Sequence, residues 1–194
     1  FVRLFKNLYY EIMELVKKIE SANILKKIIL VFLGTVLLTI SAKIKVPFYP
    51  VPMTMQTFVV VLIGITLGWK LGLTTIFLYL FEGAVGLPVF AGTPEKGLGI
   101  SYMIGPTGGY LVGFILSVFI AGFVNLNKNI FVKFLLITLS IFAIYITGVP
   151  WLAYLAGWEV AYVWGIKNFL LAEFFKISIL VLTSKKLLKV RKFI

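Results

Sequence analysis

Glu173 and Lys176 stand three residues apart inside an apolar stretch of a 194-residue chain. In a helix that spacing puts both side chains on one face. Counted from Ile166, Glu173 would sit about 10 Å along such a helix. Ionisable groups at that depth in a membrane are costly, and they mark either function or a structural pairing. Three readings follow: a functional site, an ion pair that joins helices, or both at once, with the pair ready to accept a ligand carrying both a carboxylate and hydrogen-bonding amides. Gln56, in another apolar run, needs a partner, which is either a neighbouring helix or the ligand. Glu82 follows Tyr79 by three residues, and it either faces the same cavity or reaches to the outer interface. Gly105-Pro-Thr-Gly-Gly109-Tyr110 offers backbone N–H groups at a helix start, suited to an anion. Its competing use is close helix packing through Gly109 and Gly113.

What is absent narrows the chemistry further. The chain has no His and no Cys, and all seven acids are Glu. Zinc sites built on His and Cys, thiol nucleophiles, Ser-His-Asp triads and disulfides are excluded, and no P-loop spacing occurs. No catalytic residue and no metal site is expected. A membrane enzyme would have to work with Ser, Thr, Lys or Glu alone. A channel would have to conduct past only two deep charges, which is sparse for an ion path.

The elements that must position these groups are membrane spans. Apolar residues make up 61% of the chain and charged residues 13%, against about half and a quarter in a soluble domain. One soluble core of this length could not hide that much apolar surface. Long apolar runs cover about 24–42, 55–67, 73–85, 106–124, 131–149 and 166–183. The expected fold is therefore all-α, with six transmembrane helices in one domain, 23–194. Residues 1–22 place apolar side chains at helical spacing, with Arg3, Lys6, Glu11 and Lys17 between them. That segment reads as an amphipathic helix at the membrane surface, or as a solvated tail. A signal peptide does not fit the first run, because Ile40 would stand where cleavage needs a small residue.

Between the runs, 68–72 and 125–129 are short turns. The segments 46–54, 86–105 and 150–165 are long, apolar and rich in Gly, Pro and aromatics. Pro106 suits the first turn of the fourth helix. Irregular backbone of such composition belongs where it lines a cavity. The aromatics Tyr49, Phe90, Tyr102, Tyr110, Trp151, Tyr154, Trp158, Tyr162 and Trp164 fall on that side, as an interfacial belt or as walls for a flat ligand. Of the 19 Lys and Arg, 14 fall on the other side, with Lys43, Lys45, Lys96 and Lys167 opposite them and Lys176 inside the sixth run. The positive-inside rule then puts both termini in the cytoplasm. The net charge of +12 reports topology and contact with anionic lipid, not nucleic acid.

Four motifs occur in order: Pro50-Val-Pro-Met-Thr-Met-Gln56, Leu67-Gly-Trp-Lys-Leu-Gly72, Tyr79-Leu-Phe-Glu-Gly-Ala-Val-Gly-Leu-Pro-Val-Phe-Ala91 and Gly105-Pro-Thr-Gly-Gly-Tyr-Leu-Val-Gly113. Together they resemble the BioY family, the biotin-specific S components of energy-coupling factor (ECF) transporters. The resemblance is strongest over 42–114. It implies a cytoplasmic-membrane protein that takes biotin from the outer side. It also implies a transmembrane coupling protein and paired cytoplasmic ATPases, which use ATP and Mg while this chain binds no cofactor. The family's last helix carries an acid and a Lys three residues later, matched here by Glu173 and Lys176. The family's acid is usually Asp after Gly, where this chain has Ala172-Glu173. Expected ligand contacts are Glu173, Lys176, Gln56, Tyr79, Glu82, Phe90, Thr107, Gly108, Tyr110 and Trp158. Small first-helix residues Gly34, Thr35, Thr39 and Ala42 would face the coupling protein. The alternative within this resemblance is an S component for another vitamin, such as thiamin or riboflavin.

Overall fold

A computed structural model describes the backbone of residues 2–46, 51–125 and 127–193, and the side chains of 23–45, 51–125, 127–187 and 189–191. Helix α1 (Val2–Lys43) leads into a short antiparallel pair, β1 (Lys45–Val46) with β2 (Met53–Thr54), in the register Lys45↔Thr54. Then follow α2 (Gln56–Ala84), α3 (Gly99–Met103), α4 (Gly108–Gly122), α5 (Ile130–Ala156), α6 (Trp158–Tyr162), a π-helical turn (Val163–Lys167) and α7 (Leu170–Phe193).

α1 runs unbroken through the boundary expected near residue 22. At 1.5 Å per residue its 42 residues reach about 63 Å, roughly twice the hydrocarbon core of a bilayer. Its part Asn23–Lys43 is long and apolar enough to cross. The facing of side chains 1–22 lies outside the described residues, as does Tyr49.

α2 folds back on itself. Gly68 takes φ 74° and ψ 174°, a conformation open to glycine and strained for other residues. The helix on either side then lies alongside itself: Gln56 hydrogen-bonds Tyr79, 23 residues away, across 2.7 Å. In a straight helix those residues would stand about 34 Å apart. The expected turn over 68–72 is thus a single residue, with Trp69 already helical. Gly64 lets α4 approach closely, since a Cβ there would meet Ala121 and the Val118 carbonyl.

Three other boundaries differ from the sequence expectation. α4 starts at Gly108, after an N-cap at Thr107, so Pro106 precedes the helix instead of opening it. Pro150 lies inside α5, which continues to Ala156, and helical turns occupy most of 158–167. The third apolar segment, 150–165, is therefore mainly helix. Proline is tolerated inside membrane-type helices, where neighbouring helices, hydroxyl side chains or local adjustment satisfy the freed backbone group. Finally, α7 begins at Leu170 and extends through the basic tail to Phe193.

By length and composition, Asn23–Lys43, Gln56–Ala84 and Ile130–Ala156 can cross a membrane, and Gly108–Gly122 is a shorter apolar helix. α4 packs between α2 and α5, while α7 packs on both α2 and α5. Large apolar side chains cover the outside, among them Phe32, Leu33, Phe81, Phe142, Leu171 and Leu182. Hydrocarbon chains are the environment that stabilises such a surface. The core includes fully buried Leu38, Val60, Ile76, Tyr79, Phe90, Ile144 and Leu152.

Candidate ligand-binding site

The spacing of Glu173 and Lys176 gives the expected pair: Lys176 Nζ lies 2.9 Å from Glu173 Oε1, and both side chains are buried. Because α7 starts at Leu170, Glu173 occupies its first turn and not a position two turns deep. The positive end of the helix dipole favours a carboxylate there. Thr57, from the start of α2, donates from Oγ1 to Glu173 Oε1 at 2.8 Å and lies 3.0 Å from Oε2. Lys176 also donates to the Thr54 carbonyl at 2.7 Å and to Thr57 Oγ1 at 2.9 Å. These added partners offset the desolvation that makes a bare buried ion pair costly. Tyr145 of α5 borders the same carboxylate.

A second chain of hydrogen bonds fixes Gln56. Its Nε2 donates to Tyr79 Oη, which donates in turn to the Val89 carbonyl at 3.0 Å. Its Oε1 accepts from Thr54 Oγ1 at 3.3 Å. Beyond Val89 the loop is held by side chains from α1 and β1. Lys43 Nζ donates to the carbonyls of Phe90 (2.8 Å) and Thr93 (3.0 Å) and to Thr93 Oγ1 (3.2 Å), and Lys45 Nζ donates to the Ala91 carbonyl at 2.8 Å. Thus four carbonyls within five residues accept from distant side chains. Phe90 is pressed against Gly83, where any Cβ would overlap its ring.

Between these networks lies a cavity of about 50 Å³. Its polar lining includes Thr54, Gln56, Thr57, Thr107 and Glu173, and its apolar lining includes Val51, Met53, Phe90, Phe114 and Phe169. Tyr102, Tyr110 and Tyr145 complete the walls. Phe90 and Tyr102 stack at 5.2 Å, while Tyr110 meets Tyr145 edge-on at 5.9 Å and anchors its hydroxyl on the Gly165 carbonyl at 3.1 Å. Beside the cavity, a separate cleft of about 350 Å³ runs between α7 and the β1–β2 pair. Met53 and Thr54 line both spaces, and Lys45 and Lys176 line the cleft. An acid and an amide facing stacked rings in an apolar chamber can hold a flat, neutral, polar-edged ring.

The whole chain can now be set beside known proteins. Residues 13–193 match the BioY family. A probable biotin transporter BioY of Pyrococcus horikoshii is 38% identical over 162 residues, covering 84% of this chain and 96% of that one. The biotin transporter BioY of Thermotoga maritima is 45% identical over 101 residues, 52% of this chain and 58% of that one. The chain belongs to the BioY family. Its fold is that of the solved S-component for biotin from an ECF-type ABC transporter, with a TM-score of 0.73 at 23% identity over 85% of this chain and 92% of that one.

Within this BioY fold the expected site residues separate. Glu173, Gln56, Phe90, Thr107 and Tyr110 line the cavity. Lys176 stands behind Glu173 and lines the neighbouring cleft. Tyr79 lies outside the lining, fully buried and bonded to Gln56. Gly108 packs against the Met103 carbonyl, and Gly109 and Gly113 against α5, so these glycines serve close packing while Thr107 and Tyr110 of the same turn face the cavity. Glu82 faces α1, where its Oε1 accepts from Thr35 Oγ1 at 3.0 Å. Trp158 is 70% exposed, away from the cavity. On α1, Thr35 and Ala42 are buried, Gly34 is packed on Thr75 of α2, and Thr39 is partly buried. The face of α1 turned outward carries Phe32, Leu33, Val36 and Ile40 instead.

Residues missed by sequence reading include Thr54, Thr57, Tyr145, Phe114 and Phe169. Thr57 adjoins Gln56, so a second polar group in an apolar run was a usable signal. Tyr145, Phe114 and Phe169 stand in apolar runs where nothing distinguishes a cavity wall from a core residue.

Proposed function

We propose that this chain is the substrate-binding membrane subunit of an ECF-type ABC transporter and that it captures biotin from the outer side. The observation that carries the reading is the placement of Glu173 and Gln56 on one small chamber walled by Phe90, Tyr102 and Tyr110. A carboxylate accepts the N–H groups of a cyclic urea, an amide can meet its carbonyl, and the aromatic walls take the fused rings. The names of the relatives above support the same ligand. In this reading six spans are formed by α1, the two halves of α2, α4, α5 and α7, with both termini cytoplasmic. The chain does no covalent chemistry. A transmembrane coupling protein and paired ATPases supply ATP hydrolysis with Mg, and this chain binds no cofactor.

The cavity of about 50 Å³ is well below the roughly 300–1,000 Å³ of small-molecule sites. Entry of a ligand therefore has to part the walls, and Met53 and Thr54 are the partition shared by cavity and cleft. The test is calorimetry on purified, ligand-free protein in detergent, with biotin, thiamin and riboflavin in parallel. Biotin binding alone is the expected result. Binding of thiamin or riboflavin in its place would keep the S-component reading and change the vitamin. Binding of none of the three by folded protein would overturn the reading.

A further inference from the structure

Biotin, on the reading just given, has a neutral ring at one end and a carboxylate at the end of an apolar chain. The carboxylate needs a cation, since an unpaired charge in an apolar chamber is strongly disfavoured. Glu173 is the one charged residue among the described residues that line the cavity, and it repels an anion. Lys176 looks like the obvious partner. Yet an ammonium has three N–H donors, and Lys176 already directs them at Glu173, the Thr54 carbonyl and Thr57. Lys43 is equally occupied, by Phe90 and by both oxygens of Thr93.

Lys45 differs. Its one hydrogen bond among the described residues goes to the Ala91 carbonyl, at 2.8 Å, and Ala91 lines the cavity. Across the β1–β2 pair Lys45 stands opposite Thr54, which lines both cavity and cleft. Its ammonium is therefore tethered to the cavity wall, beside the partition, with donors in excess of its acceptors among the described residues.

We propose that Lys45 receives the carboxylate of the ligand and makes the site selective for the acid over its neutral derivatives. Glu173 and Lys176 then recognise the ring end as a neutral, internally matched pair. The apolar chain runs between, past Met53 and Ala91.

The test compares biotin with biotinamide, its uncharged isostere, by calorimetry on wild type, Lys45→Met and Lys45→Arg. Wild type is expected to bind biotin about tenfold more tightly than biotinamide, the scale of one charge-assisted hydrogen bond at a partly open mouth. Lys45→Met should lose that preference by weakening biotin alone, and Lys45→Arg should keep it. Retention of the preference in Lys45→Met would overturn the proposal. So would a wild type without any preference, or an equal loss of both ligands in Lys45→Met. A wild type that binds neither compound would instead refute the biotin reading on which the proposal rests.

Discussion

Two buried lysines contact α7 at opposite ends, and they are built differently. Lys176, on its first turns, has a carboxylate, a hydroxyl and a backbone carbonyl around it and sits behind a cavity. Lys133, from the start of α5, reaches Ser184 near the other end of α7 at 2.8 Å; among the described residues it has no carboxylate in an ion pair, and it lines neither the cavity nor the cleft. Both residues are under a tenth exposed. The first arrangement holds a paired charge beside a cavity and a cleft. The second ties two helices together at the basic end of the bundle. Burial of a lysine alone therefore does not mark a site; the accompanying carboxylate and the adjoining cavity do.

The largest effect is expected from Lys176→Ala. It leaves Glu173 buried without its counter-charge, which costs about 3–5 kcal/mol. Thermal unfolding in detergent should fall markedly and biotin binding should disappear; a stable variant with wild-type affinity would erase the contrast between the two lysines. Next is Glu173→Gln, which retains the shape and some hydrogen bonding but removes the charge. Calorimetry should show biotin affinity reduced by about 10- to 100-fold, in line with a lost charge-assisted contact of about 1.5–3 kcal/mol. Tyr79→Phe removes the hydroxyl that links Gln56 to the Val89 carbonyl. A loss of about 1–3 kcal/mol in stability is expected, with a smaller drop in affinity than for Glu173→Gln. Smallest is Lys133→Met, where an apolar side chain of similar length replaces a buried amine. Stability should change by about 1 kcal/mol or less in either direction and biotin affinity should stay the same. A collapse of biotin binding in Lys133→Met would show that the inner lysine belongs to the functional machinery after all.

The pairing of Glu173 with Lys176 was legible because it depends on one helix only. Any helix through that segment brings residues three apart together, whatever surrounds them. Gln56 was legible for a related reason: a buried amide must find a partner, and it does so on Tyr79. Glu82 and Gly108 show where that reasoning stops. Glu82 reads as facing the cavity or reaching the outer interface and does neither, while of the two readings of the Gly108 turn the structure shows the packing one for its glycines; both outcomes lay in elements far away along the chain. Thr35 captures Glu82 from 47 residues upstream, and the glycines at the start of α4 fit Trp151 and Thr147 of α5. Pro150 misled for another reason, since the rule that proline breaks helices assumes a helix without outside support.

By itself the sequence determined that the chain is apolar enough for a membrane, which groups could do chemistry, and that one acid–lysine pair shares a helix face. Those properties are sums over composition, or relations within a single helical turn. The tertiary structure decided which polar groups reach the cavity. It folded α2 at Gly68, brought Thr57 to Glu173 from 116 residues away, and turned Gly34 and Ala42 of α1 inward. Local periodicity sets the spacing of faces on a helix, but packing against other helices selects the face turned inward.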